Sequence, residues 1–313
     1  MVIKSRPLGD FCYNREMATL YTQQSKNVRK TWALMTVFLV VVIGIGFVFS
    51  QIYGDPNILY FFVAFSICMN IFSYWYSDKI TIRLTGAKPA DINQYRDLHN
   101  IVENLSITAG LPKPKVYIVE DNAPNAFATG RDKNHSAVAV TTGLLNILDR
   151  SELEGVIAHE LSHIGNRDIL VSTVAVVLAG FVSIVADMFL RSQMFGGSRD
   201  DDNKGGSVLM IVGIIFAILA PIFATIIQLA ISRKREFLAD SSGALLTRYP
   251  EGLASALEKI SANSRPMQKA SDATAHLFIA SPFGGKAFRG LHKLFMTHPP
   301  AEERIKILRE KSY

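Results

Sequence analysis

Four stretches of the chain, residues 31–50, 58–76, 169–190 and 208–231, are apolar and almost free of charge. Only Asp187, near the end of the third, carries one. Each is long enough to cross a bilayer as a helix, so the pattern predicts two transmembrane hairpins, with Pro221 a kink in the fourth span. The second run ends in Tyr74-Trp75-Tyr76, a cluster suited to a membrane interface. Basic residues flank the pairs: Lys26, Arg29 and Lys30 before the first run, Lys79, Arg83 and Lys88 after the second, and Arg233-Lys234-Arg235 after the fourth. The link at residues 51–57 has no Lys or Arg. Positive charge marks the cytoplasmic side, which places both termini and everything between the hairpins there.

The remaining segments have the periodicities of a soluble domain. Ile92, Tyr95, Leu98, Ile101, Val102 and Leu105 predict an amphipathic helix over 89–110, stopped by Gly110 and Pro112. Residues 116–119 read as a short strand. Residues 124–130 and 137–141 read as two more, joined by a polar turn at 131–136. A short helix over 143–148 leads to a longer one that opens on Ser151 and Glu154 as a capping box, with Val156, Ile157, Leu161 and Ile164 on its apolar side. Residues 191–207 are a hydrophilic connector, and a terminal helix over 301–310 follows Pro299 and Pro300. The predicted architecture is a mainly α integral membrane protein. It has four transmembrane helices and a cytoplasmic α+β domain with a small sheet, assembled from residues 78–168 and 232–313. Residues 1–30 read as a flexible or loosely helical cytoplasmic tail with no legible function.

Composition agrees. The chain has 313 residues, 49% of them hydrophobic, and a mean hydropathy of +0.21, too apolar for an ordinary soluble protein of this size. Net charge is +6. The basic residues crowd the ends of the apolar runs, so the partner they imply is a lipid bilayer and not nucleic acid. Cys12 and Cys68 make no disulfide framework and have no metal-ligand spacing. The first 30 residues lack the short apolar core of a cleaved leader.

The chemistry concentrates in His159-Glu160-Leu161-Ser162-His163, a His-Glu-x-x-His pattern on a predicted helix. Positions i and i+4 share a helix face, so the two imidazoles can meet one metal, with Glu160 beside them as a base. A zinc site for hydrolysis takes three protein ligands and keeps one position open. The third ligand must come from another element on the same membrane side. Glu236 and Asp240 lie one turn apart just after the fourth span, so one can bind metal while the other orients a ligand imidazole. Asp168 is a second candidate for that orienting role. Asp187 is a poor ligand candidate: it lies 24 residues beyond His163, or about 36 Å at helical rise.

The set His159-Glu160-Leu161-Ser162-His163, Glu236-Phe237-Leu238-Ala239-Asp240, and Thr297-His298-Pro299-Pro300 with Arg304 resembles the M48 metallopeptidases. Four spans with a cytoplasmic zinc domain resemble their HtpX branch, heat-shock proteases of the bacterial inner membrane. The resemblance runs from about residue 31 onward. It implies one zinc ion on His159, His163 and Glu236, with Glu160 as general base. It also implies that His298 and Arg304 flank the cleft as oxyanion stabilisers. For His298 the residues alone fit equally a cap before the terminal helix. The resemblance further implies that Asn125, Ala126, Phe127 and Ala128 border the cleft and pair with extended substrate. The residues alone offer only an edge strand that could hold a peptide main chain. His276 reads as a core histidine.

The expected activity is cleavage of misfolded or damaged membrane proteins, as stress-linked quality control, with membrane proteins or peptides as substrates and room for a homo-oligomer. A processing protease for one substrate, such as a lipid-modified peptide, is the alternative. A four-span protein with a purely structural metal fits poorly, because such sites are closed by four ligands, often Cys.

Overall fold

The computed structural model describes residues 9–178, 180–181, 233–269, 271, 274–284 and 299–310. The second half of the third apolar run, the connector and the whole fourth run lie outside the described residues, as does His298. Two described helices are long and apolar enough to cross a membrane by length and composition.

Helix α1 (Gly9–Tyr53) contains the first of them, Gln24–Tyr53, and α2 (Pro56–Thr85) is the second. At 30 residues each, these helices extend about 45 Å, past the ~30 Å hydrocarbon layer. Asp55 caps α2 by accepting from the Asn57 N–H, Pro56 occupies its first turn, and Gly86 ends it at φ 69°. The burial of α2 is inverted relative to a soluble helix. Ser66, Asn70, Ser73, Ser77, Thr81 and Thr85 face inward, while Tyr60, Phe61, Ile71, Phe72 and Trp75 are exposed. Small polar residues inside and large apolar ones outside are what a helix surrounded by lipid requires. The contact is close: a Cβ on Gly46 would lie 2.4 Å from the Phe62 Cβ.

The first thirty residues differ from expectation. From Gly9 onward the chain is helical and continuous with the span. No Gly or Pro interrupts residues 10–43, so nothing in the sequence ends the helix at the membrane face.

Strand β1 (Lys88–Pro89) pairs with β2 (Lys115–Val119), and β3 (Ala126–Asp132) with β4 (His135–Thr141), in the order β1-β2-β4-β3. β2 and β4 are parallel and β3 is an antiparallel edge. The expected six-residue turn shrinks to Lys133 and Asn134, because the Asp132 carboxylate accepts the N–H groups of Asn134 and His135. Helix α3 (Arg96–Ala109) starts seven residues later than expected. Lys88–Pro89 is drawn into the sheet, and the Asp91 carboxylate turns the chain by accepting from Asn93 and Gln94.

Helix α4 (Thr142–Ile147) leads into α5 (Arg150–Gly165), which carries the metal motif. A capping box is present but is shifted: Asp149 accepts from Glu152 N–H and Glu152 from Asp149 N–H, while Ser151 only donates to Asp149. Asp149 stands first and caps as well as serine does. After α5 the chain turns 83° at Asn166–Arg167 into α6 (Asp168–Leu178), where the third apolar run begins. Helices α7 (Arg233–Thr247), α8 (Pro250–Ala262) and α9 (Ala301–Glu310) complete the domain.

α5 lies at the centre. Val156, Ile157, Leu161 and Ile164 pack with Leu98, Ile101 and Val102 of α3, Val138 and Val140 of β4, and Leu253, Leu257 and Ile260 of α8. Two glycines set the approach of its neighbours. A Cβ on Gly155 would sit 2.7 Å from Leu253 N, and one on Gly243 would sit 3.0 Å from His159 N. The second lets α7 pass directly against the first imidazole-bearing residue.

Candidate metal centre

One turn of α5 carries His159 and His163, and the first turn of α7 carries Glu236. Their ligand atoms lie within 4.8 Å of one another. His159 Nε2 and His163 Nε2 are 3.1 Å apart, and Glu236 Oε2 and Oε1 are 3.7 Å from them respectively. Donors at ~2.0–2.1 Å around a tetrahedral zinc are about 3.3 Å from one another, so the triangle has the right size.

The supporting contacts fix which ring nitrogens are available. His159 Nδ1 lies 2.9 Å from Asp240 Oδ1, and His163 Nδ1 lies 3.2 Å from Asp168 Oδ2. Each Nδ1–H donates to a carboxylate, and the two Nε2 lone pairs turn toward each other and toward a third carboxylate. Like-signed lone pairs at that distance call for something positive between them. Burial opposes a charge on His159, yet the carboxylates of Asp240 and Glu236 prevail and push it up to about 9, so the groups that would favour a cation between the rings also favour a proton on this one. Burial would raise Asp240, but the adjacent Arg304 charge holds it down at about 2. Glu160, Asp168, Glu236 and Asp240 face Arg235 and Arg304, all six buried. The carboxylates outnumber the two guanidiniums around the imidazoles, an arrangement that favours a cation among them. The donor set and its charge therefore fit zinc.

Glu236 and Asp240 share one face of α7, as their spacing predicted. Glu236 turns to the two Nε2 atoms and Asp240 to the Nδ1 of His159. Asp168 stands at the Nδ1 of His163. Glu160, Ala128, His163 and Glu236 line one cleft. His276 and Leu277 line it as well. His276 is buried as expected of a core histidine, with Nε2 3.1 Å from the Ser172 carbonyl, but the wall it belongs to faces the site.

Arg304 lies beside the first imidazole, with Nη2 3.4 Å from Nδ1 and 3.5 Å from Nε2 of His159. It is 2% exposed and does not line the cleft. Its Nε and Nη2 reach the two Asp240 oxygens at 2.8 and 2.6 Å, and Nη1 reaches the Ile279 carbonyl. It braces Asp240 against His159. Of the four strand residues expected at the cleft, the structure brings only Ala128 there. Asn125 ties the strand to the 279–280 segment through Ala280, Ala126 accepts from the Ile279 N–H, and Phe127 packs edge-on against Phe278. His298 lies outside the described residues.

Two contacts to Asp168, and one tether beside them, were not legible. Arg235 reads as a membrane stop signal, yet it is buried and bonds Asp168 at 3.2 Å. Gln24 and Asn27 sit in the unreadable first thirty residues. Their amides reach the end of α5, Gln24 at the Gly165 carbonyl and Asn27 at the Asn166 carbonyl and Asp168. Only the register of α1 against α5 reveals them.

A family model described as Peptidase family M48 matches residues 93–312. The Protease HtpX homolog of Thermoanaerobacter pseudethanolicus is 50% identical over 297 residues, covering 93% of this chain and 97% of its own. That of Tropheryma whipplei strain Twist is 46% identical over 291 residues, covering 93% and 98%. The crystal structure of S. mikatae Ste24p is a remote likeness, with a TM-score of 0.47 and 16% identity over 93% of this chain and 67% of that one. With a His/His/Glu site on two crossing helices and full-length relatives of this kind, the chain belongs to peptidase family M48 and is a membrane-associated metalloendopeptidase.

Proposed function

We propose that the protein is a zinc-dependent endopeptidase of the cell membrane that cleaves misfolded or damaged membrane proteins on the cytoplasmic side. The observation that carries the zinc is the triangle of His159, His163 and Glu236, with both Nδ1 atoms committed to carboxylates. When bound there, zinc supplies Lewis acidity toward a carbonyl oxygen and toward water.

The chain's own residues supply the rest. Glu160, next to His159 and on the cleft wall, takes a proton from the attacking water and returns it to the leaving amine. The substrate lies along β3. The Asn125 carbonyl accepts from Thr141 N–H, so alternate residues Ala126 and Ala128 turn their main-chain groups away from β4. The Ala126 carbonyl is taken by Ile279 and the Gly130 N–H by Thr173. Ala128, between them and at the cleft, is where an extended peptide adds its main chain. His298 is assigned the oxyanion, an effect worth about 3–4 kcal/mol per donor. Cleavage on the cytoplasmic side follows from the basic flanks of the apolar runs.

The test is Glu160→Gln, purified under chelator and reloaded with zinc, against a model membrane protein in detergent. Full zinc content with loss of cleavage is expected. Near-normal turnover would remove Glu160 from its role.

A further inference from the structure

The extension of α1 beyond the membrane ends its polar face on the C-terminus of the metal helix. Gln24 Nε2 lies 2.8 Å from the Gly165 carbonyl, and Asn27 Nδ2 lies 3.1 Å from the Asn166 carbonyl. These are among the last carbonyls of α5 and its cap, which the helix cannot satisfy itself. Asn27 makes one contact more. Its Nδ2 stands 2.6 Å from Asp168 Oδ1, and Asp168 Oδ2 is the atom that faces His163 Nδ1. Two acceptors on one side of the amide require its nitrogen there, so the orientation of Asn27 follows from chemistry. Asn27, Asn166 and Asp168 are 2%, 4% and 3% exposed, so no solvent substitutes for this bond.

We propose that Asn27 is a positioning residue for the metal site: it locks Asp168 in the rotamer that receives the Nδ1 proton of His163, and so aims the Nε2 of that ligand. The proposal rests on reading His163 as a zinc ligand. Arg235 also bonds Asp168, on the same Oδ1, and supplies charge. Asn27 supplies direction, because it is tied at the same time to the Asn166 backbone two residues before Asp168. The consequence is that one ligand is aimed by a residue on a membrane helix. The aim of that ligand then depends on the Asn27 contact itself.

The test measures zinc affinity by chelator competition, and the visible spectrum of the cobalt-substituted protein, in full-length protein in detergent. Variants are Asn27→Ala, the isosteric Asn27→Asp, Asp168→Asn, Gln24→Ala, and Asn27→Ala with Asp168→Asn. Asn27→Ala and Asn27→Asp should each weaken zinc about 10–100-fold, the usual range for an outer-shell partner, and shift the cobalt bands. Gln24→Ala removes a tether of the same helix without touching Asp168 and should keep wild-type affinity and spectrum. In the Asp168→Asn background, Asn27→Ala should cost nothing further. If Asn27→Ala fails to fold, Asn27→Asp, which keeps its shape, carries the measurement. Wild-type affinity in the Asn27 variants, equal losses in Gln24→Ala, or additive losses in the double variant would overturn the proposal. Wild-type protein that binds neither zinc nor cobalt would instead overturn the metal reading beneath it.

Discussion

The Nδ1 of His159 and the Oδ1 of Asp240 lie 2.9 Å apart, and Arg304 holds both oxygens of that carboxylate, Nε at Oδ2 and Nη2 at the same Oδ1. Asp240 therefore holds a ligand imidazole with a charge that has itself been fixed. Replacing it with Asn keeps the shape but removes the charge that favours the Nδ1–H tautomer. Asp240→Asn should weaken zinc about 10–100-fold, measured by competition with a chromophoric chelator. Unchanged affinity would show that His159 is oriented by something else.

Arg304 is buried with its charge paired, so removing it strands Asp240 in the interior. Arg304→Ala should destabilise the domain by about 3–5 kcal/mol, the range for breaking a buried pair, and weaken zinc with it. Arg304→Lys should recover only part, because an ammonium does not reproduce two parallel bonds to one carboxylate. Thermal unfolding in detergent reads the first effect. A stable, zinc-replete Arg304→Ala protein with only turnover impaired would favour the oxyanion role.

Gly155 and Gly243 make opposing demands on a helix. Alanine gains about 1 kcal/mol of helix propensity over glycine. At Gly155 the new Cβ would lie 2.7 Å from Leu253 N, a backbone atom that cannot swing aside, so Gly155→Ala should lower the melting temperature. At Gly243 the nearest atom is His159 N at 3.0 Å. There the propensity gain offsets the crowding, and Gly243→Ala should cost little stability while α7 shifts against α5. Zinc affinity should fall more than the melting temperature does. The opposite ranking of the two variants in thermal unfolding would contradict this packing.

Ala128 is the test of substrate pairing. Ala128→Pro deletes one outward N–H at an edge position, where proline is tolerated. KM for an unfolded membrane-protein substrate should rise with zinc content unchanged. An unaltered KM would place the substrate elsewhere.

The motif helix, the meeting of its two histidines on one face and the shared face of Glu236 and Asp240 were legible because each is a matter of local spacing. So were the first two spans, which length and composition alone define. What was not legible depends on which side of a helix meets which neighbour. Arg235 looks like any basic residue at a membrane boundary until α7 is packed on α5. Asn27 looks like any polar residue in a basic segment until α1 is set against Gly165 and Asn166. The capping box was misplaced by two residues because Asp149 and Ser151 are both good caps and only geometry chooses between them. The bond between Arg304 and Asp240 joins segments 64 residues apart, and no local spacing announces it.

Metal content measures the central claim most directly. Wild-type protein and Glu236→Ala, purified in detergent with chelator and reloaded with zinc, are compared by elemental analysis. One zinc per wild-type chain and its loss in Glu236→Ala is the expected result. A full zinc complement in Glu236→Ala, or none in the wild type, would contradict a centre built from His159, His163 and Glu236.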